Sequence, residues 1–175
     1  KAKITLFVEN EKTASDTGEI QFTDYGLSGI PVFQISRYAS RALDEGKDVR
    51  TELDLMAETD WNLLFDWLLT YAKDHPFTEW KEILSGMLNS KLAGALCGLV
   101  KTADFLPVRQ SDAQREKTAR ELCRLMKHFS CNVIGTKNFH QAQVTAGGVD
   151  TSGIDPLTMG SRLVKGLYFA GEIMD

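Results

Sequence analysis

Ile4, Leu6 and Val8 alternate with polar neighbours in "KITLFVEN", and Ile20 and Phe22 alternate again in "EIQFTD". A period of two marks half-buried strands. The two runs predict a hairpin connected through the polar stretch "EKTASDTG". From Pro31, the residues Val32, Ile35, Ala39 and Leu43 recur at helical spacing until Gly46 ends the run, and proline suits the first helical turn. "DVRTELDL" then reads as a strand.

The next stretch changes period. "TDWNLLFDWLLTYAKDH" places Trp61, Leu64, Phe65, Leu68 and Tyr71 on one stripe, with Thr59 or Asp60 as cap and His75-Pro76 as stop. "FTEWKEILSGML", "SKLAGALCGLV" and "SDAQREKTARELCRLMKHF" predict three more helices, the last turning Ala119, Leu122, Met126 and Phe129 inward. After Ser130 the strand pattern returns in "CNVIGT" and "HQAQVTAG", and finally in the apolar "GLYFAG". Strands flanking a helical block predict an α+β fold in which four helices are inserted into a β-rich module whose halves meet in space. No internal repeat or low-complexity tract interrupts the pattern.

Composition narrows the function. Hydrophobic residues make up 43% of the 175 and charged ones 25%, and no apolar run approaches the roughly eighteen residues of a membrane helix. A formal charge of −4 argues against a general nucleic-acid binder, which needs an excess of Lys and Arg to displace counterions. Cys97, Cys123 and Cys131 match neither a disulfide framework nor a zinc knuckle, so a reducing, cytoplasmic compartment is expected. The opening "KAKITLFVEN" and the closing "LYFAGEIMD" read as the cut ends of a piece from a longer protein.

Several residues invite chemistry that their context does not support. His75, His128 and His140 are not paired with Cys, His or carboxylates at ligand spacing, so no metal is expected. Lys117, Arg120, Arg124 and Lys127 form a basic stripe, but Glu116 and Glu121 interrupt it, as on a solvated helix face. Trp61, Phe65 and Trp80 sit at core spacing, and Cys97 and Cys123 lie in apolar helical surroundings as packing thiols. A P-loop, a GxSxG elbow and a GxGxxG turn are all absent from the sequence.

The C-terminal third is more specific. In "AQVTAGGVDTSGIDPLTMGSRLVKGLYFAGE" a Gly147-Gly148 pair precedes an apolar run ending in Gly171-Glu172. In that order the two motifs resemble the closing segment of FAD-dependent oxidoreductases of the fumarate reductase type. Together with "GEIQFTDYGLSGIPVFQISR", the chain resembles the BaiN-type, or aminoacetone-oxidase-like, family of NAD(P)/FAD-dependent oxidoreductases. The helical block matches that family in arrangement more than in motif.

The resemblance implies a β-barrel-like insert at 1–56 and 130–145, a helical subdomain at 57–129 and, at 146–175, the start of the returning segment of a Rossmann-type FAD domain. It implies that Thr145, Gly147 and Gly148 lie near the flavin ring, that Glu172 after Gly171 receives ribityl hydroxyls, and that Asp175 matches the following acidic position. No residue is assigned as the catalytic acid or base. FAD in the parent protein, NAD(P)H as reductant and a small organic substrate, such as a steroid with a conjugated double bond, follow from the same resemblance. The excised piece is expected to hold no flavin and to be inactive, with no nucleic-acid or membrane partner. An alternative from another class is a helical module docking a partner protein or RNA beside a flavin domain. "TDYGLSGIP" matches the family's "TxxGLSGP" signature with the proline displaced by one residue, and reads as a corner from a strand into a helix rather than a phosphate cradle.

Overall fold

The computed structural model describes residues 1–100, 106–137, 140 and 147–174. The chain divides into two compact units, Lys1–Gly135 and Thr136–Asp175. The first contains a four-stranded antiparallel sheet in the order β2-β1-β5-β6, built from β1 (Ala2–Val8), β2 (Glu11–Gly18), β5 (Val49–Asp54) and β6 (Phe129–Asn132). A separate two-stranded ribbon pairs β3 (Gln21–Thr23) with β4 (Gly26–Ser28).

The hairpin partner of β1 is therefore not "EIQFTD" but the polar stretch itself. Glu9 and Asn10, with φ of 50° and 67°, make a tight turn whose twist suits two strands. β2 carries Thr13, Ala14, Ser15 and Thr17 along the sheet edge, where no apolar side chain is needed, so the alternation that marks a strand is missing. Register on the other side of β1 follows burial. Ile4 faces Leu53 and Leu6 faces Thr51, and all four are buried. Complete burial of each of these Ile and Leu side chains contributes about 1.5–3 kcal/mol.

Helix α1 (Ile30–Asp44) packs on β1 and β2 through buried Ile35, Ala39 and Ala42. Its entry explains the "TDYGLSGIP" stretch. Gly29 has φ 114°, and a Cβ there would stand 2.4 Å from the Glu19 carbonyl oxygen. Pro31 is buried against Gly18, where an added Cβ would meet the ring at 2.8 Å. Backbone crossing backbone at this closeness makes a corner, and glycine is what allows it.

Four helices follow in the described residues: α2 (Trp61–Asp74), α3 (Trp80–Ser85), α4 (Ser90–Leu99) and α5 (Asp112–Lys127). Three of them open on side-chain caps. Asp60 accepts from Asn62 N at 2.8 Å, Asn89 from Lys91 N at 2.9 Å, and Ser111 exchanges hydrogen bonds with Gln114 in a capping box. Leu64, Leu68, Trp80, Leu84, Leu96, Leu122 and Met126 form their shared core. Trp80 Nε1 donates to Gln110 Oε1 at 3.1 Å and Gln110 Nε2 to Thr118 Oγ1 at 3.2 Å, which satisfies the buried polar atoms between them.

Two strand boundaries differ from the sequence pattern. Phe129, expected on the inner face of the last helix, instead opens β6 opposite Leu53, and Ile134 lies beyond that strand with 97% of its surface exposed. In Thr136–Asp175 the expected "GLYFAG" strand is reduced to a single bridge between Gly160 and Tyr168. The unit is held by two further bridges, Ile154 with Ser161 and Val149 with Met174, and by a 3-10 turn at Thr151–Gly153. Ile154 is its only buried hydrophobic among the described residues. Most of "HQAQVTAG" lies outside the described residues.

Candidate functional site

The two glycine motifs of the C-terminal segment come together in space. Val149 N donates to Ile173 O at 2.8 Å, and Val149 bridges Met174 in parallel. This pairing joins the segment that begins at Gly147 and Gly148 to the one that begins at Gly171 and Glu172. Gly147 has φ 93° and Gly171 φ 78°, and a Cβ at either would meet nothing within 4 Å. Both turns are thus open to the outside, and their left-handed backbone is the conformation that favours glycine. The Glu172 carboxylate is exposed beside them. Such a pair offers bare backbone for the approach of a flat group and an acceptor for hydroxyls. Thr145 and Asp175 lie outside the described residues.

Asp150 caps the turn that follows, accepting from Ser152 N at 2.9 Å, and this hydrogen bond holds its carboxyl below the usual range. Asp155 is lowered in the same way by Leu157 N at 2.9 Å. Both are structural acceptors for the loop backbone.

The remaining candidates resolve into packing and surface pairs. Arg120 is bound to Glu116 at 2.8 Å and lies over the Phe65 ring, while Arg124 is bound to Glu121 at 2.7 Å. His128 Nδ1 stands 3.1 Å from Glu52 Oε1, His75 ends α2, and His140 is exposed. Among the described residues no group of three His, Cys, Asp or Glu side chains is placed to hold a metal. Burial pushes the Cys97 and Cys123 thiols up to about 11 and also raises Cys131, so none is a ready nucleophile at neutral pH. No helix among the described residues is long and apolar enough to cross a membrane.

Two residues carry more than the sequence pattern conveys. Lys127 is not part of a solvated stripe, since its ammonium is bound by Asp54 at 2.7 Å. Arg162, which no motif marks, is tied to the Asp150–Gly153 turn through its own backbone and guanidinium. No local signal identifies either, because their partners lie on other segments.

Residues 1–144 match the family described as the HI0933-like protein barrel and H2TH domain. The chain belongs to this family. It is the BaiN and aminoacetone-oxidase-like group of flavoproteins that the sequence motifs resemble. Among curated relatives, a 3-dehydro-bile acid delta(4,6)-reductase from Clostridium scindens is 36% identical over 175 residues, which is 99% of this chain and 42% of the relative. A ribosomal RNA dihydrouridine synthase from Escherichia coli is 32% identical over 171 residues, 98% of this chain and 37% of the relative. Its namesake from Haemophilus influenzae is 32% identical over 165 residues, 90% of this chain and 36% of the relative. The chain therefore spans about two fifths of the length of the curated relatives it matches.

Proposed function

We propose that the full-length protein carrying this chain is a flavin-dependent reductase that adds hydrogen across a carbon–carbon double bond conjugated to a carbonyl, with FAD as cofactor and NAD(P)H as reductant. The observation that carries this reading is the similarity of 99% of the chain to a delta(4,6)-reductase. The geometry of Gly147 and Gly171 supports it, because open left-handed turns in a segment with an exposed Glu172 carboxylate fit a flavin better than a Cβ-bearing, filled surface would.

In this reading Gly147 and Gly148, with Thr145, lie against the flavin ring, and Glu172 accepts hydrogen bonds from ribityl hydroxyls, with Asp175 at the next acidic position. The bound flavin supplies hydride transfer, while the protein orients the rings and excludes water. Residues 1–56 and 130–145 form the barrel-like part, 57–129 the helical part, and 146–175 begin the FAD segment. On this reading the 175 residues alone are expected to catalyse no turnover. The substrate is a small ring compound of steroid type.

A second reading keeps the chemistry and changes the substrate. Dihydrouridine differs from uridine by hydrogen added across a double bond next to a carbonyl, so the 32% identity to two ribosomal RNA dihydrouridine synthases favours a uracil ring in RNA. Against it stand the net charge of −4 and the pairing of Arg120 and Arg124 with glutamates, since an RNA surface relies on cations free to meet phosphates.

The deciding experiment purifies the full-length protein, measures its flavin spectrum, reduces it anaerobically with NADPH and offers two oxidants. Reoxidation by a 3-keto-4-ene steroid supports the first reading. Reoxidation by unmodified ribosomal RNA, with uridines gaining two hydrogens by mass spectrometry, supports the second. A colourless protein that cannot be loaded with FAD removes both.

A further inference from the structure

The chain from Gly147 to Gly171 is closed by backbone ties more than by a packed core, since Ile154 is its only buried hydrophobic among the described residues. Asp155 N donates to Gly160 O at 2.8 Å, Ser161 N to Leu167 O at 2.7 Å and Phe169 N to Met159 O at 2.9 Å. Arg162 makes the tie to the turn that follows the Gly147-Gly148 motif. Its N donates to Gly153 O at 2.9 Å and its Nη1 to Ser152 O at 3.3 Å. We propose that Arg162 is a positioning residue for the flavin, acting through the Thr151–Gly153 turn to hold the Gly147-Gly148 backbone ready for the cofactor. The proposal rests on the reductase reading and adds to it a residue outside both glycine motifs.

Three observations carry it. The first is continuity: only Val149 and Asp150 separate Gly148 from the turn, and the Asp150 carboxylate accepts from Ser152 N at 2.9 Å. A glycine such as Gly147, at φ 93°, has little conformational preference of its own, so its backbone follows the residues that flank it. The second is the double hold. The bond from Arg162 N survives replacement of the side chain, whereas the bond from Nη1 needs the guanidinium. That guanidinium also acts on the far side of Ile154. The Asp155 carboxyl is held below the usual carboxylate range chiefly by the hydrogen bond from Leu157 N, and the positive charge of Arg162 adds to the effect.

The third is exposure. Arg162 lies at the surface, where replacing a side chain changes overall stability little. Its effect is therefore on local order. A turn already held in place does not have to be ordered when the flavin binds, and that saving appears as affinity.

The test uses the full-length protein, stripped of flavin and titrated with FAD by fluorescence, with the visible circular dichroism of the bound flavin and the thermal midpoint of the apoprotein read alongside. Arg162→Met is expected to weaken FAD binding roughly fivefold through the lost hydrogen bond and to reduce the dichroism, which reports how firmly the ring is held in asymmetric surroundings. Arg162→Lys keeps a charged donor and should recover most of both. The thermal midpoint should stay at the wild-type value in the two variants. Lys165→Met removes an exposed cation from the same loop and should bind FAD as the wild type does. Equal affinity and dichroism in wild type and Arg162→Met overturn the positioning role and leave the reductase reading intact. A lowered midpoint in Arg162→Met with unchanged dichroism also overturns it, since the residue would then only support the fold. So does a loss of affinity in Lys165→Met as large as that in Arg162→Met, because net charge alone would explain both. A wild type that cannot be loaded with FAD removes the reductase reading and this proposal with it.

Discussion

Lys127 Nζ lies 2.7 Å from Asp54 Oδ2 and also donates to Met56 O at 2.9 Å and Thr59 O at 2.8 Å. One ammonium thus joins the end of α5, the end of β5 and the approach to α2. Only 12% of the Lys127 side chain is exposed, so each of these oxygens would lose a strong donor if the lysine were removed. Lys127→Met is expected to destabilise the protein by about 2–3 kcal/mol, since removing one partner of a largely buried pair leaves the other uncompensated. Lys117→Met on the exposed face should change stability by less than about 0.5 kcal/mol. Urea unfolding of the two variants makes the comparison, and equal midpoints would show that the anchor contributes nothing.

Gly29 and Gly46 both have positive φ but differ in surroundings. A Cβ at Gly29 would meet the Glu19 carbonyl oxygen at 2.4 Å, whereas at Gly46, with φ 74°, it would meet nothing within 4 Å. Gly46→Ala should therefore cost about 1 kcal/mol from backbone strain alone. Gly29→Ala should cost more than about 3 kcal/mol, because strain and a backbone clash add. Thermal melts that rank the two variants the other way would contradict the corner geometry.

The Ser111 and Gln114 capping box gives α5 its start. Ser111→Ala is expected to lower stability by about 1 kcal/mol, and Ser111→Asp to restore most of it, because an aspartate accepts from the same backbone N–H and suits the helix dipole. Chemical denaturation of the pair reads the difference.

The thiols predict an alkaline loss of stability. Burial pushes Cys97 and Cys123 from the ordinary 9.0 up to about 11. The negative charge of Glu79 also raises Cys97, and the positive charge of Lys127 partly offsets the shift at Cys123. Between those values the unfolded chain releases protons that the native state retains, so stability falls as pH rises. Their contribution is complete below pH 9 and is lost toward pH 11. Unfolding midpoints across this window should decline less steeply in a Cys97→Ala, Cys123→Ala double variant than in the wild type. Parallel slopes would show that the decline comes from other groups.

Glu172 tests the proposed cofactor contact. In the full-length protein, Glu172→Ala should reduce flavin retained through gel filtration, with affinity falling roughly tenfold for the loss of hydrogen bonds to a charged acceptor. Glu172→Gln, which keeps one acceptor oxygen, should lie between. Full flavin retention in both would remove Glu172 from the cofactor site.

Residues whose role follows from their own segment were legible in advance. The stripes of α2 and α5, the Asp60 cap and the Ile4 and Leu6 face of β1 depend on spacing that local backbone geometry imposes. The pairing of β1 with β2 was hidden, because an edge strand such as Glu11–Gly18 needs no apolar face and reads as a loop. The "GLYFAG" run forms a single bridge, Gly160 with Tyr168, because β propensity makes a ladder only with the backbones available to pair.

The family relation, the order of helices and the two glycine motifs were determined by the sequence itself, because each is written in contiguous residues with a local physical requirement. Tertiary structure alone decided that Lys127 is an anchor rather than a surface charge, and that Val149 pairs with Ile173 and Met174 and so joins the two glycine motifs. It also tied Arg162 to the Asp150–Gly153 turn. These are contacts between segments distant in the chain, and their energies depend on burial and distance, which periodicity along one segment does not encode.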